Sequence, residues 1–161
     1  MRNCTKIYIN GAWVASTSGE VIDVVNPATE QLAGQIALGS VADVDCAVAA
    51  ARTAFRTCSK TTRQERTDLM NSVLSAYAGR HQDLADALVE ELGTPAKFAK
   101  EMQAGVGFLH LQTAIKALKT YAFEHARGSR TVVRREPIGV VAMVTPWNWP
   151  INQIITSSGD G

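Results

Sequence analysis

Apolar and polar positions alternate almost from the start of the chain. Lys6-Ile7-Tyr8-Ile9 reads as a strand, Asn10-Gly11 as a turn and Ala12-Trp13-Val14 as the returning strand. Asn-Gly tolerates positive φ at both positions, which a type I′ hairpin requires. Ser18-Gly19 marks another turn. Val21 to Val25 is β-branched and stops at Asn26-Pro27, a turn opener. Gln31 to Leu38 predicts one more strand. The period then changes from two to three and four. Ser40 and Asp43 resemble a helix start, and Val44, Ala47, Val48, Ala51 and Phe55 form an apolar stripe. Thr62 to Glu65 is a full capping box. Leu69, Val73 and Tyr77, flanked by Met70 and Leu74, make the next stripe. Leu84, Leu88 and Leu92 mark a third helix, ended by Gly93 and Pro95. A fourth helix is predicted over 96–123, with Leu111, Ile115, Leu118 and Ala122 on one face. At 1.5 Å per residue it spans about 40 Å, a length suited to crossing a larger body.

Gly128 interrupts the helical pattern. Arg130 to Glu136 alternates weakly and predicts a half-exposed strand, which Pro137 stops because proline cannot donate to a ladder. Ile138 to Val144 is nearly all apolar, the pattern of a strand buried on both faces of a parallel sheet. Thr145-Pro146-Trp147-Asn148-Trp149-Pro150 is a stiff turn. Pro150 suits the first turn of a helix that begins at Ile151 to Ile155. Ser157 to Gly161 is polar and loop-like. The whole is an α/β pattern without internal repeats.

Composition narrows the classes. The 161 residues are 46% apolar and 19% charged, with a formal net charge of +1. That fits one soluble domain or a piece of a larger one. A near-neutral chain lacks the basic face that nucleic acid or an anionic membrane surface demands, so neither is expected as a partner. No apolar leader opens the chain, and no apolar run is long enough to span a bilayer; the expected location is cytoplasmic. Cys4, Cys46 and Cys58 are odd in number and widely spaced, which is no disulfide framework. With no CxxC or Cys/His cluster, no metal site is expected. All three cysteines read as small, buried or half-buried side chains.

Several motifs carry little. Gly105-Val106-Gly107 lacks a third glycine and a preceding strand, so close helix packing explains it better than phosphate binding. Asp43 and Asp45 fit solvated or capping roles. His81, His110 and His125 share no ligand spacing.

The chemistry concentrates in Ile138 to Gln153. Ends of buried parallel strands are where α/β proteins place ligands. An asparagine amide can point its NH₂ at developing negative charge without titrating, and flanking prolines hold the backbone in place. The plainer alternative is a stiff turn with packed tryptophans and a backbone-capping asparagine. Spacing alone weighs the two evenly.

Arg135-Glu136-Pro137-Ile138-Gly139-Val140-Val141, followed by Thr145-Pro146-Trp147-Asn148-Trp149-Pro150, resembles the aldehyde dehydrogenase superfamily. Tyr8 to Trp13, Val25 to Glu30 and Glu91 to Pro95 resemble its opening hairpin, its next turn and the element before its long helix. The resemblance runs to about Ile155. It implies the N-terminal part of that fold: β-hairpins, helices, then the first strand of a Rossmann-like cofactor domain. It divides the chain into 1–125 (cofactor-domain portion), 126–137 (oligomerisation strand segment) and 138–161 (first buried strand and active-site turn). It implies oxidation of an aldehyde to a carboxylic acid with NAD or NADP. Asn148 takes the place of the family's oxyanion-binding asparagine. Val144, Thr145, Pro146, Trp147 and Asn148 inherit cofactor contacts, and Trp149 and Gln153 inherit substrate contacts. Implied partners are a small aldehyde and further copies of the chain or full-length subunits.

The resemblance leaves gaps. None of the three cysteines stands in the family's nucleophile motif. Glu91-Leu92-Gly93 looks like the general-base motif but sits where the N-terminal element belongs. The ribose and phosphate contacts are missing. After Ile155 the polar Thr156 to Gly161 departs from the family's apolar helix, as expected of a truncated or frame-shifted chain. The isolated chain is therefore expected to be inactive, poorly soluble or loosely packed. The rival reading is a non-catalytic product or interaction module.

Overall fold

The computed structural model describes residues 2–159, with side chains from 3 to 156. Five short strands come first: β1 (Arg2–Cys4), β2 (Lys6–Ile9), β3 (Ala12–Ala15), β4 (Val21–Val25) and β5 (Leu32–Ala37). β2 and β3 form the predicted hairpin, pairing Tyr8 with Trp13 across Asn10 (φ 52°) and Gly11 (φ 81°). The second sheet has the order β1-β5-β4. β4 runs antiparallel to β5 with a register shift at Val24/Val25. β1 runs parallel to β5, a pairing the local pattern did not predict.

Helices follow: α1 (Val41–Cys58), α2 (Arg63–Gly79) and α3 (His81–Leu92). Ser40 and Thr62 both close reciprocal capping boxes, with Asp43 and Glu65 as the returning acids. Gly93 (φ 70°) ends α3, and Thr94 N–H reaches back to the Leu88 carbonyl. A Cβ on Gly93 would lie 2.7 Å from Pro27 Cγ, so this glycine also lets the Asn26-Pro27 turn dock on the helix end.

The long fourth helix is real but not uniform. α4 (Ala96–Phe98) passes into a π-helical turn at Ala99–Gln103 and then α5 (Ala104–Thr120). It stops three residues before the predicted end, where Tyr121 turns extended. The core lies where α3, the π turn and α5 meet: Ala85, Leu88, Ala99 and Ala104, with Leu84, Val89, Leu92 and Ile151 packed against them. α2 lies on α5 through buried Tyr77, whose hydroxyl donates to the Ala104 carbonyl at 2.5 Å. Gly107 makes room for that ring; a Cβ there would collide with the Tyr77 hydroxyl. Close packing thus accounts for Gly107 as expected, but not for Gly105, where a Cβ would meet only the Lys100 carbonyl at 3.7 Å.

β6 (Glu124–Arg127) and β7 (Thr131–Arg134) form an antiparallel hairpin closed at Gly128 (φ 74°). β7 matches the strand predicted over 130–136, whereas β6 was not foreseen. The Arg63 and Arg66 guanidinium groups sit over Phe123 at the root of this hairpin, 5.8 and 5.7 Å from the ring centroid. α6 (Pro150–Gly159) closes the described chain.

Three expectations are corrected. Ile138 to Val144 forms no strand; Ile138 is 93% and Val144 96% exposed. A strand needs a neighbour for its backbone groups, and no described segment runs alongside this one. Ser157–Gly159 is helical rather than loop, because α6 carries on through it; Asp160 and Gly161 lie outside the described residues, as does Met1. Cys4, Cys46 and Cys58 are all exposed rather than buried. The α1 stripe has little to cover it: Val44 stays 59% exposed, and Val48, Ala51 and Phe55 are half-buried.

Candidate active site

The predicted site residues lie at the junction between the exposed extended segment and α6. Val144, Thr145, Pro146, Trp147 and Asn148 are exposed. Asn148 makes no hydrogen bond with any described residue, so its amide is free to face a ligand. Trp149 is half-buried and meets Phe98 edge-on, with ring centroids 5.6 Å apart and planes at 82°. Its carbonyl accepts the first helical hydrogen bond of α6, from Gln153 N–H at 3.0 Å. Gln153 is half-buried on the first turn.

The helix is anchored just behind the turn. Ile151 packs on the core cluster of α3, the π turn and α5. His110 Nε2 lies 2.7 Å from Asn152 Oδ1, tying α5 to α6. Asn148 is thus held at the end of a fixed helix while its own side chain stays free. The contacts made by Phe98, His110, Ile151 and Asn152 escaped the sequence reading, because each partner lies about 40 or more residues distant, and no local pattern marks such pairs.

Two cavities lie beside the site. One of about 190 Å³ is lined by Leu69, Met70, Val73, His110, Leu111, Ala114 and Ile155. A second, shallower one lies between the Asn10-Gly11 turn and Ala47 to Ala54 of α1. Neither suits a dinucleotide. The described residues do not by themselves form a cofactor cradle: Val144 to Asn148 offer one open face, and the only closely spaced glycines are built into a helix with Gly107 filled by Tyr77. No group of three metal-ligating side chains occurs among the described residues. No helix there is long and apolar enough to cross a membrane.

The titratable groups with displaced pKa values serve structure. Asp43 is buried and held far below the usual carboxylate range, first by the Ser40 N–H and then by the Ser16 hydroxyl and Thr17, against the opposing cost of burial. Glu65 is lowered by the Thr62 N–H and hydroxyl. Burial pushes the Tyr77 phenol up, so it remains a donor to Ala104.

An α/β chain with a long helix packed against a proline-bounded Trp-Asn-Trp turn defines a recognisable class. The architecture superposes on a crystal structure of an aldehyde dehydrogenase from Bartonella henselae with a TM-score of 0.93 at 37% identity, covering 96% of this chain and 33% of that one. It also matches aldehyde dehydrogenase C from Pseudomonas syringae, a cysteine-to-alanine mutant complexed with NAD+ and octanal. There the TM-score is 0.91 at 43% identity, over 94% of this chain and 31% of that one. A Staphylococcus saprophyticus protein assigned to the aldehyde dehydrogenases is 46% identical over 153 residues, which is 95% of this chain and 32% of the relative. A family model described as the aldehyde dehydrogenase family matches residues 13–159. The chain belongs to that family. It spans about a third of the length of the relatives it matches.

Proposed function

We propose that this chain is the N-terminal third of an NAD- or NADP-dependent oxidoreductase that converts an aldehyde to a carboxylic acid. Residues 1–125 and 138–161 belong to its cofactor-binding domain, and 126–137 to an oligomerisation segment. The observation that carries the reading is Asn148, an exposed, unpartnered amide on a turn backed by an anchored helix. Its NH₂ donates to the oxygen that becomes negative when a nucleophile adds to the aldehyde carbon. A neutral donor fixed beforehand stabilises that charge without reorganising. Val144 to Asn148 form one wall of the cofactor site, and Trp149 and Gln153 one wall of the aldehyde site.

The nucleophile is not expected from Cys4, Cys46 or Cys58, which stand on β1 and α1 and outside the family's motif. The same reading places the whole protein in the cytoplasm as an oligomer. The exposed β6–β7 hairpin favours a second role for the chain, as a module that pairs with full-length subunits; mixing with such a subunit and finding no shared elution peak contradicts it.

The functional test is a chimera. Residues 13–155 replace the matching segment of the active P. syringae enzyme, and NADH formation from octanal is followed. Aldehyde-dependent NADH from a cooperatively folded chimera supports the reading. A folded chimera that binds NAD+ but makes no NADH overturns it.

A further inference from the structure

α6 meets the body of the protein through two kinds of contact. Ile151 and Ile155 press on apolar surface, Ile151 on the core cluster and Ile155 on the cavity wall between α2 and α5. Such contacts are non-directional and tolerate a sliding or rotating helix. Trp149 adds an edge contact with Phe98. Against these stands, among the described residues, a directional side-chain bond to α5, between His110 Nε2 and Asn152 Oδ1 at 2.7 Å. An amide oxygen can only accept, so Nε2 carries the proton and donates.

The bond is placed to matter. His110 is half-buried among Leu69, Met70, Val73, Leu111 and Ala114, where an unmade donor is costly. Asn152 lies in the first turn of α6, four residues after Asn148. The Thr156 hydroxyl donates to the Asn152 carbonyl at 2.6 Å within α6, a bond that moves with the helix and leaves His110 to tie Asn152 to α5. Each residue of helix turns the chain by 100°. A slip of α6 by even part of a turn therefore swings the Asn148 amide away from any fixed target.

We propose that His110 is a positioning residue: its hydrogen bond to Asn152 sets the register of α6 and so aims the Asn148 turn. The aiming role rests on the oxyanion reading of Asn148, but the register role stands apart from it and is tested without any assay of turnover.

The test uses the full chain, uniformly ¹⁵N-labelled, with amide hydrogen exchange read at the Gln153 N–H that closes the first turn on Trp149. His110→Ala removes the donor. His110→Gln keeps it, because the glutamine amide nitrogen falls where Nε2 lies. The expected result is about fivefold faster exchange at Gln153 in His110→Ala, the loss of one ordinary hydrogen bond. His110→Gln restores the parental rate, and amides in the middle of α2 are unchanged in both. Asn152→Leu, which keeps the branched shape and loses the acceptor, speeds exchange to the same degree. The proposal is overturned if alanine and glutamine behave alike, if all helices quicken together, or if the Gln153 amide is unprotected in the parent. A failed chimera with an intact exchange pattern would sink the oxyanion reading and leave the register role standing.

Discussion

Asp43 accepts hydrogen bonds from four donors: the Ser16 hydroxyl, the Thr17 N–H and hydroxyl, and the Ser40 N–H. They join the turn after β3 to the start of α1. The sequence showed only half of this. Ser40 and Asp43 are three apart, a spacing that marks a helix cap, whereas Ser16 and Thr17 lie more than twenty residues away and carry no local signal. The group's folded-state pKa is depressed, so its stabilisation is present above the unfolded carboxylate value of 3.8 and is lost as pH falls below it. Asp43→Asn should lower stability at pH 7, and the gap from the parent should close as pH drops through the range below 4. Urea unfolding at stepped pH measures it; a gap that stays constant contradicts the assignment. Gly105 and Gly107 offer a sharper contrast. Alanine in a helix interior gains about 1 kcal/mol over glycine. At Gly107 the new methyl meets the Tyr77 ring, and overpacking costs about 1–3 kcal/mol. At Gly105 nothing lies nearer than the Lys100 carbonyl at 3.7 Å. Gly107→Ala is expected to destabilise and Gly105→Ala to be neutral or stabilising, read from urea midpoints.

Elements whose causes are local were legible. The β2–β3 hairpin follows from Asn10-Gly11, α2 from the Thr62–Glu65 box, and the end of α3 from Gly93. Elements that depend on a distant partner were not. β1 exists because Arg2 to Cys4 pair with Gly34 to Ile36 on β5, and β6 because it pairs with β7. Ile138 to Val144 shows the reverse: its apolar pattern fits a two-sided sheet, but no described neighbour supplies the hydrogen bonds. The π turn at Ala99–Gln103 was equally hidden, since that stretch holds no glycine or proline to mark a departure from the α-helix. Gly93 allows an element-scale prediction. Gly93→Ala places a Cβ at positive φ, at a cost of about 1–2 kcal/mol, and drives it toward Pro27. It should lower the urea midpoint and detach the Asn26-Pro27 turn, seen as faster amide exchange at Ala28 and Thr29 with α2 unaffected. Equal protection in both proteins would contradict the docking role.

At the scale of the molecule, the core is small and much apolar surface is open. No large side chain is fully buried among the described residues, while Val41, Ile138, Val144 and Trp147 are each at least 78% exposed. The family and its fold were legible because the turn 145–150 and its upstream strings are specific. The environment of Ile138 to Val144 was not, because the chain spans a third of its relatives. Surface of this kind binds apolar probes and self-associates. The purified chain should bind anilinonaphthalene sulfonate and elute in a concentration-dependent way; a sharp two-state melt of a dye-free monomer contradicts this. It should also show no aldehyde-dependent NADH formation by itself.

Donation by Asn148 to the developing oxyanion is measured by a single substitution in the chimera. Asn148→Ala should lower kcat by about 10² to 10³. KM should change little, because the interaction is made in the transition state rather than with bound aldehyde. A variant whose kcat stays close to that of the parent chimera, with the fold and NAD+ affinity intact, would rule out Asn148 as the oxyanion donor.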